Sequence, residues 1–330
     1  MMENKRKLIL DCDPGTDDSV CIMMALTHPD VELLAITTES GNLPSDKTAA
    51  NALRILEHLG RTDIPVAQGM LHPLVREYPK DPYCHGEDGL GNHFFPEPVT
   101  KVIDRFPANV IIDEVMKYPG EVSLVCTAPL TNVAMAIMMK PEIVPLIKEI
   151  YHIGGSYGFT DYAFTNATGD NPMSEWNVYV DPEAAKIVYE SGVNITTIGL
   201  DVAFNPEAVN LSDETLEQIR RIGNPQAKYA LEIIDYIDKN NSIEEQGIYI
   251  NGPIDTTAMC SFLCPDMLTT KEIKVAVDTG SQLTRGMTIW DRRDHFRWED
   301  LHTIRSAVSI DSDMYQKVFV EALGNAAGES

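Results

Sequence analysis

Four aspartates fall within Asp11-Cys12-Asp13-Pro14-Gly15-Thr16-Asp17-Asp18, directly behind the apolar run Leu8-Ile9-Leu10. Carboxylates gathered at the end of a buried strand repel one another and lose hydration, so something cationic must neutralise them. Oxygen donors alone suit a hard divalent ion, Ca²⁺ or Mg²⁺, and not a soft one. Pro14-Gly15 turns the chain sharply and lets Asp17 and Asp18 fold back towards Asp13. Neighbouring residues at a helix start point about 100° apart, so these two aspartates can serve different partners. A strand, a turn and an aspartate cap before a helix from Ser19 would account for only one or two of the four acids.

The elements that must position this cluster alternate along the chain. Leu8–Asp13, Val31–Thr38, Ile64–Gly69, Val122–Thr127, Ile150–Ile153 and Ile195–Leu200 read as strands. Helices are expected over Asp17–His28, Ser45–Leu59, Asn109–Tyr118 and Leu130–Met139, and from Asp181-Pro182-Glu183. Further helices are expected near Asp213–Ile222, Ala227–Lys239 and Pro253–Phe262, then mixed strands from Lys271 and a last helix Ser312–Leu323. Such alternation predicts an α/β fold with a mainly parallel, open sheet flanked by helices. Ligands bind beyond the carboxyl ends of the strands in sheets of this kind. Asp11, Asp13, Asn42, Thr127 and Gly154-Gly155 all fall at such ends. Two stretches, Met70–Pro107 and Ser156–Ser174, lack periodicity and are long for loops without a function.

Composition bounds the rest. With 330 residues and 44% hydrophobic content the chain can bury a large core, and a single domain over 1–330 is expected. Lys and Arg number 26 against 50 Asp and Glu, a net charge of −24 that repels nucleic acid, and no basic stripe overrides it. No run is long enough to span a bilayer and no apolar leader precedes the first strand, so a cytoplasmic protein is expected. The six cysteines, at 12, 21, 84, 126, 260 and 264, read mostly as buried thiols of a reducing compartment. Cys260 and Cys264 have helical spacing but no second pair, which argues against zinc.

Asp-x-Asp after an apolar strand also opens the haloacid dehalogenase-type phosphatases, and Gly169-Asp170-Asn171-Pro172-Met173-Ser174-Glu175 mimics their later acidic motif. That segment follows a polar loop instead of a strand, which makes the Mg²⁺-dependent phosphatase the remote reading. The nucleoside hydrolase family (inosine–uridine-preferring type) is resembled over nearly the whole chain. Asp11 to Asp18 resembles its N-terminal signature, Ala35-Ile36-Thr37-Thr38 with Gly41-Asn42 its second strand, and His85-Gly86-Glu87-Asp88-Gly89 its His-Gly loop. Leu124 to Asn132 is similar to its Thr-Gly-Pro-Leu-Thr-Asn element, with Ala128 where glycine is usual. Glu175-Trp176-Asn177 and the late Asp255 complete the match.

The resemblance implies a Ca²⁺ ion held by Asp13, Asp18, the Thr127 carbonyl and Asp255, with Asp13 also the general base towards the metal-bound water. It implies that Asp17, Asn42, Glu175 and Asn177 grip ribose hydroxyls, with Asp255 at the same site and Asp11 supporting from beneath. Asn171 is the choice for the contact near the 5′-hydroxyl, with Asn166 as the alternative. His85 is expected at the base or the ribose, and Trp176 as the residue stacking on the base. Many family members place a histidine before the last metal-binding aspartate, as an acid for the leaving base. Here Ile254 stands there, and isoleucine has no proton to give. With Trp176 this leans the reading to purine nucleosides, against a uridine-preferring or non-specific alternative. A sandwich partner for Trp176 is not obvious among Trp290, Trp298 and Tyr249. A ribose- or nucleoside-binding protein without turnover is the alternative of another class. The resemblance further implies a small-molecule ribonucleoside as substrate, with no nucleic acid or membrane partner, and a homodimer or homotetramer.

Overall fold

The computed structural model describes residues 5–79, 85–164, 171–240, 249–293, 298 and 300–324. Strand β1 (Arg6–Cys12) is buried throughout from Leu8 onward. Alternate side chains of a strand point to opposite faces. Leu8, Leu10 and Cys12 accordingly enter one hydrophobic cluster and Ile9 the other. A strand buried on both faces belongs at the centre of a sheet with helices on either side.

The other strands are β2 (Val31–Thr38), β3 (Val66–Gln68), β4 (Val122–Cys126), β5 (Glu149–Ile153), β6 (Ile195–Ile198), β7 (Leu268–Val277), β8 (Thr288–Trp290) and β9 (Thr303–Ile310). They lie in the order β3-β2-β1-β4-β5-β6-β9-β7-β8. Pairing is parallel from β3 through to β9 and antiparallel where β7 meets β9 and β8. The chain winds outward from β1 to β3 and then returns to place β4 beside β1. That reversal opens a crevice above the carboxyl ends of β1 and β4. Asp11, Asp13 and Thr127 stand there.

Helices α1 (Thr16–Thr27), α2 (Ser45–His58), α3 (Pro107–Lys117) and α4 (Thr131–Met139) follow within a few residues of the expected bounds. Beyond them come α5 (Trp176–Val180), α6 (Pro182–Tyr189), α7 (Leu200–Ala203), α8 (Pro206–Val209), α9 (Asp213–Ile222) and α10 (Pro225–Asn240). The last two are α11 (Thr256–Leu263) and α12 (Ser312–Leu323). One cluster of buried side chains joins α1, α10, α11 and α12 to the sheet, and the other joins α3, α4 and α6. Helix α6 begins as its sequence dictates. Asp181 caps it by accepting from the Ala184 N–H, and Pro182 sits at the first helical position, where no N–H is needed.

Several expectations shift. The strand expected over Ile64–Gly69 shortens to three residues, and the helix expected from Pro253 starts at Thr256, leaving Pro253-Ile254-Asp255 as its entry. Strand β7 begins before Lys271, and the short α5, α7 and α8 lie below the length at which periodicity shows. Four cysteines are buried and unpaired, and Cys264 is half-buried, while Cys84 lies outside the described residues.

Candidate active site

The acidic turn is built by close approach. Asp13 Oδ2 accepts from the Asn42 backbone N–H at 2.6 Å, and Oδ1 from the Asn42 side-chain amide at 3.2 Å. A Cβ at Gly41 would stand 1.8 Å from Asp13 Oδ2, so only glycine lets the two loops meet. At the start of α1, Asp18 Oδ2 accepts from Gly15 N at 3.0 Å and from Asn42 Nδ2 at 3.1 Å. Its other oxygen accepts from Thr127 Oγ1 at 2.6 Å, which ties the start of α1 to the end of β4. Asp255, at the entry to α11, completes the ring, its N–H 3.5 Å from Asp17 Oδ2.

All four carboxylates are buried. Burial first, and mutual repulsion second, raise Asp13 and Asp255 well above the usual range. Asp18 is raised for the same reasons, partly offset by its bonds to Thr127 and Gly15. Asp17 Oδ1 is buried with no hydrogen-bond partner. Ligand atoms of Asp17, Asp18 and Asp255 lie within 4.8 Å of one another. This differs from the expected set: Asp17 converges with Asp18 and Asp255, while both oxygens of Asp13 are engaged by Asn42. An all-oxygen, anion-rich site with an orphaned buried oxygen fits a hard cation.

Beneath the turn lies a residue the sequence reading missed. Asp11 Oδ1 accepts from Thr37 Oγ1 and from Asn132 Nδ2. Glu39, just past β2, is fully buried and accepts from Asn132 N at 3.3 Å. One oxygen of Asp11 and one of Glu39 have no other partner. Burial, then the Asp11 charge, push Glu39 well above the carboxylate range. An acid at the end of an otherwise apolar strand was the available signal.

On the β5 side, Glu175 caps α5. Its Oε1 accepts from Asn177 N at 2.8 Å, and Oε2 from Val178 N at 3.0 Å and Gly155 N at 3.2 Å. Burial pushes its carboxyl up to about 7 against those backbone donors. Asn177 Nδ2 donates to the Thr127 carbonyl at 3.1 Å and to the Ile153 carbonyl at 3.0 Å. Asn177 and Glu175 therefore sit beside the acidic turn.

Asn171 does not present itself in that way. It is fully buried, its amide donates to Ser174 Oγ and to the Arg285 carbonyl, and its oxygen accepts from Met173 N. It clamps its loop to the β7–β8 hairpin, and Asn166 lies outside the described residues. Trp176 is half-buried and stacks on Tyr179, with centroids 5.9 Å apart and planes at 25°. Arg285 covers Tyr179. Each of the aromatics considered as a second platform has a contact elsewhere. Trp290 donates to the Tyr157 carbonyl and packs on Phe159, Trp298 engages Lys274 through its carbonyl, and Tyr249 binds Asp238. Ile254 packs against the core. His85 lies over the start of α1, its Nδ1 2.9 Å from Thr16 Oγ1 and 3.8 Å from Asp17 Oδ1.

The sequence matches the family model described as inosine-uridine preferring nucleoside hydrolase over residues 8–317. The chain belongs to the nucleoside hydrolase family. The hydrolase is 39% identical over 288 residues to the pyrimidine-specific ribonucleoside hydrolase RihA of Shewanella baltica, covering 87% of each chain. It is 36% identical over 324 residues to the inosine-uridine preferring nucleoside hydrolase of Leishmania major, covering 96% of this chain and 97% of the other. Among solved structures, the purine-preferring ribonucleoside hydrolase from Gardnerella vaginalis matches with a TM-score of 0.85 at 30% identity, over 98% of this chain and 100% of that one. The hydrolase is thus an N-glycosyl hydrolase of ribonucleosides, with the family's mainly parallel α/β fold. Among the described residues no helix is long and apolar enough to cross a membrane.

Proposed function

We propose that this nucleoside hydrolase is calcium-dependent and leans towards purine nucleosides, releasing free base and ribose. The observation that carries the metal is the buried ring of Asp13, Asp17, Asp18 and Asp255, whose charges nothing else in the described structure neutralises. Asp18 and Asp255 would hold the ion together with Asp13 and the Thr127 carbonyl, which keeps a lone pair beyond its bond to Asn177. Calcium there supplies the positive charge that keeps these carboxylates ionised and sites for water and ribose hydroxyls.

The chain's own residues do the rest. Asp13, anchored by Asn42 at two points, is the base that takes a proton from the attacking water. The amide nitrogens of Asn42 and Asn177 are committed to the protein, so each turns a carbonyl oxygen to the sugar as an acceptor. Asp17, with its free oxygen, and Glu175 are further acceptors for ribose hydroxyls. Together the acids surround the developing oxocarbenium ion with negative charge. His85 and Trp176 face the base in this reading, and Asp11 with Glu39 supports the turn. Asn171 belongs to the loop, not to the ribose. A homodimer or homotetramer rests on the family resemblance, and size-exclusion chromatography with light scattering reads it.

The purine lean rests on Ile254, which offers no acid, and on the Trp176–Tyr179 stack, a platform for a large ring. The pyrimidine-specific name of the Shewanella relative favours the second reading. Comparison of kcat/KM for inosine, guanosine and adenosine with uridine and cytidine decides between them. A uridine value equal to or above the purine values overturns the lean.

A further inference from the structure

His85 is held by the same helix start that carries the acidic cluster. Its Nδ1 lies 3.2 Å from the Thr16 backbone nitrogen and 2.9 Å from Thr16 Oγ1. A backbone N–H donates and never accepts, so Nδ1 offers its lone pair and carries no proton. In a neutral imidazole the proton then sits on Nε2. Among the described residues no hydrogen bond engages Nε2, so that N–H is open to a ligand.

The loop that carries the ring is held as well. Asn51, fully buried on α2, donates to the Asp88 carbonyl and to the Pro14 carbonyl, each at 3.1 Å. One side chain therefore ties the His85 loop to the acidic turn. The Asp88 carboxylate accepts from Leu90, Asn92 and Phe94 N–H groups, and Gly91 N donates to the His85 carbonyl at 3.0 Å. A Cβ at Gly15 would stand 2.6 Å from His85 Nδ1, so the glycine makes room for the contact.

The geometry points to Thr16 as a positioning residue that locks His85 in its Nε2–H tautomer and aims that N–H at an acceptor atom of the departing base. This rests on the nucleoside hydrolysis reading above. Ile254 leaves the base without an acid at the entry to α11, and the Thr16–His85 pair answers that gap in a different way. As the bond from C1′ to the base nitrogen breaks, its electron pair goes to the base. His85 donates a hydrogen bond to the nitrogen or oxygen on which that charge gathers and keeps its own proton. The attacking water bonds to C1′ and gives its proton to Asp13, and solvent water protonates the released base. His85 thus acts on the leaving group as a donor, not as an acid.

The test uses the full chain loaded with Ca²⁺ and labelled with ¹⁵N-histidine, the His85 signals being identified by their loss in His85→Gln. Long-range ¹H–¹⁵N spectra of the wild type are expected to show the Nε2–H tautomer. Thr16→Pro removes both donors to Nδ1, and position N1 is the one place in a helix where proline costs little. Its expected result is loss of the fixed tautomer. Its turnover of inosine should fall about tenfold more than its turnover of p-nitrophenyl ribofuranoside, whose leaving group departs unaided, the size of one net hydrogen bond. Thr16→Val, which keeps the backbone donor, should fall between the two, and Thr16→Ser should restore the wild-type ratio. These variants keep the test open if the proline chain does not fold. An Nδ1–H tautomer in the wild type overturns the inference, as does an unchanged inosine-to-nitrophenyl ratio in folded variants. Either result leaves the nucleoside hydrolase reading standing if the wild type still releases ribose from inosine.

Discussion

In the proposed reaction, proton transfer and metal binding meet on Asp13, which Asn42 holds by backbone and side chain at once. Asp13→Asn keeps the size and most of the hydrogen bonding but removes the base. Turnover of inosine should drop by about 10²–10⁴-fold while the far-ultraviolet circular dichroism is unchanged. Retained turnover would take the base role from Asp13. The two candidate ligand sets separate by calorimetry. If Asp17 serves ribose, Asp17→Asn should weaken substrate binding by about tenfold or more, as loss of a charged hydrogen bond does, with little change in Ca²⁺ affinity. A collapse of Ca²⁺ affinity instead would make Asp17 a ligand, in keeping with its convergence on Asp18 and Asp255. The sequence marked the aspartates because four acids in one turn have no bland explanation. It did not mark Glu39, whose meaning arises only when β2 sets it against Asp11. Nor did it show that Asn171 is spent on the Arg285 carbonyl, a contact between residues far apart in the chain.

The antiparallel hairpin of β7 and β8 is the element that fastens the loops between β5 and α5. Thr288 exchanges two hydrogen bonds with Ser156, Trp290 and Arg292 donate to the Tyr157 carbonyl, and the Arg285 carbonyl accepts from Asn171 and Ser174. Beneath the same loop, buried Asp201 collects the N–H groups of Tyr157, Phe159 and Thr160. Burial raises its carboxyl, and these three donors oppose the rise. Asp201→Asn replaces one acceptor oxygen with a donor that faces an N–H. The expected cost in urea unfolding is about 2 kcal/mol, with kcat changed far less than by Asp13→Asn. A neutral result would mean that the loop does not depend on Asp201. Helix and strand periodicity made the parallel half of the sheet readable, since β1, β2, β4 and β5 are short apolar runs bounded by turns. The hairpin was not readable in detail. Its strands are half-exposed and polar, and their work is done by backbone carbonyls that carry no sequence signature.

Across the whole molecule, the order β3-β2-β1-β4-β5-β6 explains why five separated segments meet at one crevice. The same burial that creates the site makes the fold sensitive to acid. His152, at the end of β5, is fully buried, and burial pulls it down to about 3 from 6.5. Between those values the unfolded chain binds a proton that the folded chain does not. Its neutral form therefore costs nothing above pH 6.5, and stability falls as the pH drops below that value, by up to about 1.4 kcal/mol per unit. His152→Gln keeps a partner for the Tyr189 hydroxyl and should flatten the acid side of the stability profile by one proton. An unchanged slope would show that His152 is not the group responsible. The strongly negative chain, at −24, gives acid titration many other sites, so the comparison must be made between the two proteins at each pH. Catalysis has a more direct readout: release of reducing sugar from inosine by the purified protein, stripped with a chelator and then resupplied with Ca²⁺. Activity should vanish on stripping and return with calcium in the wild type, and should not return in Asp13→Asn. Full activity in the stripped protein, or rescue of the variant by calcium, would contradict a reaction centred on the buried aspartate ring.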